Sequence, residues 1–134
     1  MKALSEKEIA AVSRLAGPAR YRHAVKRIVD WEVAWGLWRD GWAIMETDEG
    51  AQQVLPFWPA TEYAERHREG SWIAYEPRAI PLTELLDELL PRMIELGIKP
   101  GVFPLPGGRG VVVSVSEFDA ALREALLCYQ FNDE

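Results

Sequence analysis

Four of the six tryptophans fall within twelve residues, at Trp31, Trp35, Trp38 and Trp42, among runs of strand-forming residues punctuated by tight turns. The runs 33–38 and 42–47 are joined by Arg39-Asp40-Gly41, and a third run, 53–58, follows Asp48-Glu49-Gly50. Each tripeptide puts glycine where a hairpin loop wants a positive φ. Extended runs joined by such short loops cannot cross over one another, so they predict a three-stranded antiparallel meander. This segment constrains the fold more than any other.

Alternation along 33–38 then divides the side chains. Val33, Trp35 and Leu37 share one face of the strand, and Ala34, Gly36 and Trp38 the other. Trp35 and Trp38 therefore point opposite ways. Either helices cover both faces and the tryptophans are core, or one face keeps an aromatic surface open for a ligand or partner. Trp42, Trp58 and Trp72 flank turns or proline breaks and are the candidates for such a surface, with Tyr63 beside them.

Helices surround this sheet in the sequence. Ser5-Glu6-Lys7-Glu8 reads as a capping box, with Glu8 reaching back, for a helix carrying Ile9, Val12 and Ala16. A second helix, 18–30, places Tyr21, Ala24, Val25, Ile28 and Val29 on one stripe. Pro59 starts a short helix over 60–69, and 72–75 reads as a short strand or extended segment. A leucine-rich helix over 82–96 buries Leu82, Leu85, Leu86, Leu89, Leu90, Met93 and Ile94. Pro91 falls inside it and predicts a kink or break, because an interior proline costs about 3 kcal/mol or more. The runs 101–105 and 110–114 form a last strand pair around Pro106-Gly107-Gly108-Arg109. Ser116, with Asp119 in the box position, caps a final helix bearing Phe118, Leu122, Ala125, Leu126 and Tyr129, and the tail from Gln130 frays. The class is α+β: an antiparallel β-meander plus a C-terminal strand pair, packed with four to five helices.

At 134 residues the chain fits one domain, read as a helical extension over 1–17 and a core over 18–130. Its 49% hydrophobic content excludes a disordered chain. The single cysteine, Cys128, forms no intrachain disulfide and reads as a buried thiol beside Leu122 and Tyr129. With no apolar run of membrane-spanning length and no signal-peptide pattern, the expectation is a cytoplasmic protein that engages no membrane.

Charge is uneven. Residues 1–30 carry seven Lys/Arg against three Asp/Glu, and residues 31–134 eight against eighteen. Net acidity argues against nucleic acid as a partner. Arg20, Arg22, His23, Lys26 and Arg27 form a basic face on the second helix. It is either a solvated surface or a dock for acidic groups of this chain or of a second copy.

No motif specifies catalysis, a metal or a cofactor. The glycines at 107–108 lead into a strand, whereas a phosphate cradle must lead into a helix. His23, His67 and Cys128 lie on three separate helices and make no zinc set. An enzyme would need one of the two imidazoles within reach of a carboxylate.

The stretch from about Tyr21 to Leu126 resembles the bacterial proteins grouped as domain of unknown function 2750. The resemblance rests on Arg20-Tyr21 with Val25-Lys26-Arg27-Ile28, Trp38 with Asp40-Gly41-Trp42, the block Val54-Leu55-Pro56-Phe57-Trp58-Pro59 followed by Tyr63-Ala64, Tyr75-Glu76-Pro77 with Ala79-Ile80-Pro81-Leu82, and Val102-Phe103-Pro104 leading to Gly110-Val111-Val112-Val113. It implies a fold and a bacterial source but no chemistry. A lesser similarity, to SseB-type α+β modules that also present a Leu-Pro-aromatic strand, implies fold alone.

The function expected is a non-enzymatic protein-binding module, immunity- or adaptor-like, using an aromatic and acidic surface. The alternatives are a small-ligand domain with an aromatic groove between the sheet and the leucine helix, or a structural homodimer. An enzyme is the least favoured class.

Overall fold

The structure is a computed structural model describing residues 4–46, 52–106 and 110–132, with side chains omitted for 129–132. The expected turn at Asp48-Glu49-Gly50, the glycines at 107–108 with Arg109, and the side chain of Tyr129 lie outside the described residues.

Helix α1 (Glu6–Ser13) opens on Ser5, whose hydroxyl accepts the Glu8 amide at 3.1 Å. Such a cap stabilises by about 1 kcal/mol. The Glu8 carboxylate does not complete the box. It accepts instead from Arg27 Nη2 at 3.2 Å, tying α1 to α2 (Gly17–Trp31). The first helix stops at Ser13, so Ala16 is exposed rather than on an apolar stripe. In α2, Ala24, Val25, Ile28 and Val29 are buried as their spacing requires, while Tyr21 is half-buried.

The α+β class stands, but the meander's ladder does not run as expected. Strand β1 (Val33–Trp38) pairs along its whole length with β4 (Glu76–Pro81), antiparallel, from Val33↔Pro81 to Trp38↔Glu76. Among the described residues its backbone pairs with the tryptophan run after the turn only through the bridge Trp38↔Trp42 and the Ala43 amide on the Leu37 carbonyl at 2.8 Å. It meets the third run only at Trp35↔Trp58, whose amides and carbonyls exchange two bonds of 2.9 Å. The turn explains the departure. Asp40 takes a φ of 55°, and Trp42 then lays its ring across β1 onto Gly36 instead of continuing alongside it.

Strand β4 was masked in the sequence by Pro77 and Pro81. Prolines are tolerated on an edge strand, where one side of the backbone needs no donor. The expected strand or extended segment at 72–75 gives way to a 3₁₀ turn (Gly70–Trp72) after the short helix α3 (Thr61–Glu65).

A second, mixed sheet runs β2 (Met45–Glu46), β3 (Gln53–Phe57), β5 (Lys99–Val102), β6 (Val111–Val112). The β2–β3 and β5–β6 pairs are antiparallel. The β3–β5 pair is parallel, in register Val54↔Lys99 to Phe57↔Val102. The C-terminal strand pair therefore forms, shifted two residues toward the N-terminus at its first strand. Gly110 approaches so closely that a Cβ there would lie 2.7 Å from the Val102 carbonyl oxygen.

Between β4 and β5 the chain is helical from α4 (Leu82–Glu84) through a π turn (Leu85–Leu89) to α5 (Leu90–Leu96). Pro91 does not break it. In a regular α-helix its ring would strike the carbonyl of residue 87. The turn before it is widened, and the Leu90 amide reaches back five residues to the Leu85 carbonyl. The extra residue sets back the phase of everything after it by about 100°. Leu90 and Met93 stay buried, but Ile94, expected in the core, is 61% exposed.

Helix α6 (Val115–Asn132) begins before the expected cap. Ser114, not Ser116, accepts the Glu117 amide at 3.0 Å, and Asp119 instead binds Arg123 at 3.1 Å. Its backbone is helical through Asn132. Cys128 is exposed, not buried. The core between the helices and sheets is filled by Trp58, Phe57, Phe103, Phe118, Leu85 and Leu122, with α1 contributing Ile9 and Val12. Among the described residues no helix is long and apolar enough to cross a membrane.

Candidate functional site

The tryptophans divide between core and surface. Trp58 is 0% exposed, and its indole N–H donates to the Pro104 carbonyl at 3.0 Å. Tyr63 is buried with its ring centroid 4.6 Å from that of Phe103. Burial, foremost, pushes its phenol up to about 12. Both are interior packing residues, committed to neighbours within the chain. Trp72, in the 3₁₀ turn, is half-buried beside the exposed Ile73.

Trp42 is half-buried on the Gly36 side of β1, the side its neighbour Trp38 shares. The two indoles meet edge to face, 4.8 Å between centroids at 80°. Arg78, the cross-strand partner of Gly36, lies over both rings, with its guanidinium carbon 4.2 Å from the Trp38 centroid and 5.7 Å from that of Trp42. Strand pairing thus assembles a Trp–Arg–Trp stack from residues the sequence separates by up to 40 positions. The sequence singles out Trp42 but not Trp38 and Arg78, its partners in the stack, because Arg78 stands between two prolines in a segment not read as a strand.

Beside Trp42 is a shallow notch of about 210 Å³, lined by Ile80, Glu84, Glu88, Leu89 and Arg92. It lies between the strand pair and the leucine-rich helix. Arg92 is held by Glu95 at 3.1 Å. Among the described residues Glu84 and Glu88 take part in no ion pair and are exposed.

The five basic residues of α2 do not form one open surface. Arg20 turns inward as a clamp, donating from Nε to the Phe103 carbonyl at 3.0 Å and from Nη1 to that of Leu15 at 2.9 Å. Arg27 pairs with Glu8 and covers the Trp31 ring at 4.4 Å. His23 is half-buried near Phe103. Its pKa is lowered by burial first and by Arg27 and Lys26, against an opposing pull from Glu8. Of the five, only Arg22 and Lys26 are exposed.

His67 is 8% exposed, its ring 4.7 Å from that of Trp58. Burial lowers its pKa, and a bond to the Pro104 backbone and the charge of Glu69 work the other way. Neither imidazole bonds to a carboxylate among the described residues, and these hold no group of three His, Cys, Asp or Glu able to share a metal ion.

The family model for proteins of unknown function, DUF2750, matches residues 21–122. The chain belongs to the DUF2750 family. The DUF2750 stretch runs from the first turns of α2 into α6, so it contains the Trp38–Arg78–Trp42 stack and the notch and leaves α1 outside. The block Val54–Pro59 is buried throughout, so in this chain it is packing rather than a binding surface. No curated protein and no solved structure matches the chain.

Proposed function

We propose that this DUF2750 chain is a non-enzymatic protein-binding module, adaptor- or immunity-like, that grips its partner with the Trp38–Arg78–Trp42 face. The observation that carries the reading is the stack itself. Trp and Arg are the side chains most enriched where binding energy concentrates. Stacking also holds Arg78 in place before a partner arrives, which reduces the ordering cost of association.

The notch sharpens the chemistry. At about 210 Å³ it is smaller than the roughly 300–1,000 Å³ of small-molecule sites, which favours a single protruding side chain over a free ligand. Glu84 and Glu88 flank it without an ion pair among the described residues, and Arg92 in the same lining is held by Glu95, so the fitting side chain is a lysine or arginine. The net charge of −6 draws a basic partner toward the same face. The single cysteine, free and exposed, suits a reducing compartment, and on that ground and the family resemblance we place the module in the bacterial cytoplasm.

Affinity capture from the native host with the wild-type chain, Trp42→Ala and Arg78→Ala tests the proposal. A partner held by the wild type, lost about tenfold or more from both variants, and retained by Trp31→Ala supports it. Recovery of the bait alone, or of partners indifferent to Trp42 and Arg78, refutes it.

A further inference from the structure

Helix α1 lies over a cluster whose polar groups are not all satisfied. On α2, Arg20, His23 and Arg27 share one stripe, which faces Phe103 and α1. Tyr63 of α3 packs on the same Phe103 ring. Two polar atoms of this cluster, Tyr63 Oη and His23 Nε2, are buried without a hydrogen-bond partner among the described residues, and Tyr63 as a whole is 3% exposed. Beyond the effect of burial, the charges of Glu8 and Arg27 bear on both groups. Ser13, which ends α1, borders the same small space as Tyr63 and Arg66.

The hold on α1 is balanced. Glu8 pairs with Arg27 at 3.2 Å, Glu6 with Arg66 at 3.1 Å, and the Leu4 amide donates to Glu62 at 2.9 Å. The Glu6 side chain is 89% exposed, and a pair of that kind adds little. Ile9 and Val12 supply the apolar hold. Against it stand two polar atoms kept dry without a partner, a penalty of the same order as the gain from burying an aliphatic side chain. Opening hydrates both atoms. Helix α2 does not depend on α1 for its start, because Pro18 in its first turn has no amide to satisfy. Arg20 Nη1 holds the Leu15 carbonyl at 2.9 Å and so fixes the pivot between the two helices. The DUF2750 match covers His23, Arg27, Glu62, Tyr63 and Arg66 and leaves α1 outside.

We infer that α1 is a hinged cover over a docking site for an amphipathic helix of a partner, with Glu8 holding the place of that helix's carboxylate on Arg27. The contacts of α1 specify the occupant. An amide at its N-terminus meets Glu62, one carboxylate meets Arg27 and another Arg66. Apolar side chains one and four positions after the first carboxylate fill the places of Ile9 and Val12. A partner whose polar side chain also reaches Tyr63 Oη or His23 Nε2 gains a bond that α1 does not make, and so displaces it. The site uses none of the residues of the Trp38–Arg78–Trp42 face, and the inference does not rest on that reading.

Hydrogen exchange on the full chain tests the cover. The α1 amides should exchange through an opening at least about tenfold more populated than the one that exposes α2 and α6. Exchange of all three helices in a single step overturns the inference. Fluorescence anisotropy with a labelled peptide of residues 1–16 tests the site. The full-length Glu8→Lys chain, its own α1 repelled from Arg27, should bind the peptide about tenfold or more tighter than the wild type, in which α1 competes as a tethered ligand. The full-length Arg27→Glu chain should refuse that peptide and bind one carrying Glu8→Lys, which restores the opposite charges. Trp42→Ala should change neither readout. Peptide binding absent from both variants, or indifferent to the charges at 8 and 27, overturns the inference.

Discussion

Trp42 rests on Gly36 so closely that a methyl group at Gly36 would lie 2.9 Å from both Cε3 and Cζ3 of the indole. Real Cβ atoms do not approach that near, so the pair is a contact only glycine permits. Gly36 is also the cross-strand partner of Arg78. One missing side chain therefore lets an indole and a guanidinium share the same side of β1.

Gly36→Ala should push the indole off the strand rather than distort β1, because the half-exposed ring has solvent to move into. The expected cost is about 1–3 kcal/mol, in the range of overpacked sites. The edge-to-face coupling of Trp38 and Trp42 should be lost with it. Urea denaturation reads the first effect, and the exciton signal of the indole pair in the circular dichroism spectrum reads the second. An unchanged spectrum would mean that the ring does not sit on Gly36.

His67 contributes to the loss of stability on the acid side. Burial holds its folded pKa below the ordinary value of 6.5. The unfolded chain therefore takes up a proton first as pH falls, and protonation favours unfolding. The contribution is intact above pH 6.5 and is lost as the pH drops through the lowered value. His23 is shifted the same way and adds to the slope. Urea midpoints should fall between neutral and mildly acidic pH, and His67→Gln should flatten part of that fall. An equal slope in wild type and variant would show that the imidazole is not buried in its neutral form.

Tyr63 presents the opposite case. Its hydroxyl is buried and finds no partner among the described residues, and its pKa is raised from 10.0 to about 12. A raised acid pKa means stability present below pH 10.0 and lost as pH rises toward about 12. Tyr63→Phe removes the unpaired hydroxyl and keeps the ring against Phe103. It should be neutral or stabilising by about 1 kcal/mol near neutral pH, and it should soften the alkaline loss. Thermal melts across that range decide it. A clear destabilisation would show that the hydroxyl has a partner, such as a bound water.

How far the sequence reveals this fold depends on the range of the interaction. The apolar stripe of α2 and the glycine turn after Trp38 are local patterns, and both are found where periodicity and turn chemistry put them. What was not legible is what depends on distant pairing. Nothing near Pro77 signals that β1 waits for it, and a ladder flanked by prolines looks like a loop until its partner is known. The leucine helix fails in one instructive place. Its stripe keeps Leu82, Leu85, Leu86, Leu90 and Met93 in the core and is wrong at Ile94, beyond the widened turn that precedes Pro91. Of the candidate site, the alternation of Val33–Trp38 set Trp35 and Trp38 on opposite faces. Which tryptophans were interior could not be read, since Trp58 and Trp42 both flank turns. Burial separates them, and burial is a property of the whole chain. The basic face of α2 divided for the same reason: Arg20 and Arg27 are turned inward by a carbonyl and a carboxylate far away in sequence.

The parallel pairing of β3 with β5 has a consequence for how the chain is made. Gln53–Phe57 has its neighbour at Lys99–Val102, and Val33–Trp38 has its neighbour at Glu76–Pro81. During synthesis from the N-terminus, both strands emerge well before their partners do. Pairings so remote in sequence also slow folding, because long loops must close before any contact rewards them. Through that interval the tryptophans at 35, 38, 42 and 58 are displayed together on an unfinished chain. The strand carrying Val54 to Phe57 therefore stays without its parallel neighbour until residue 102 has been made, and the core stays open until Phe118 and Leu122 follow.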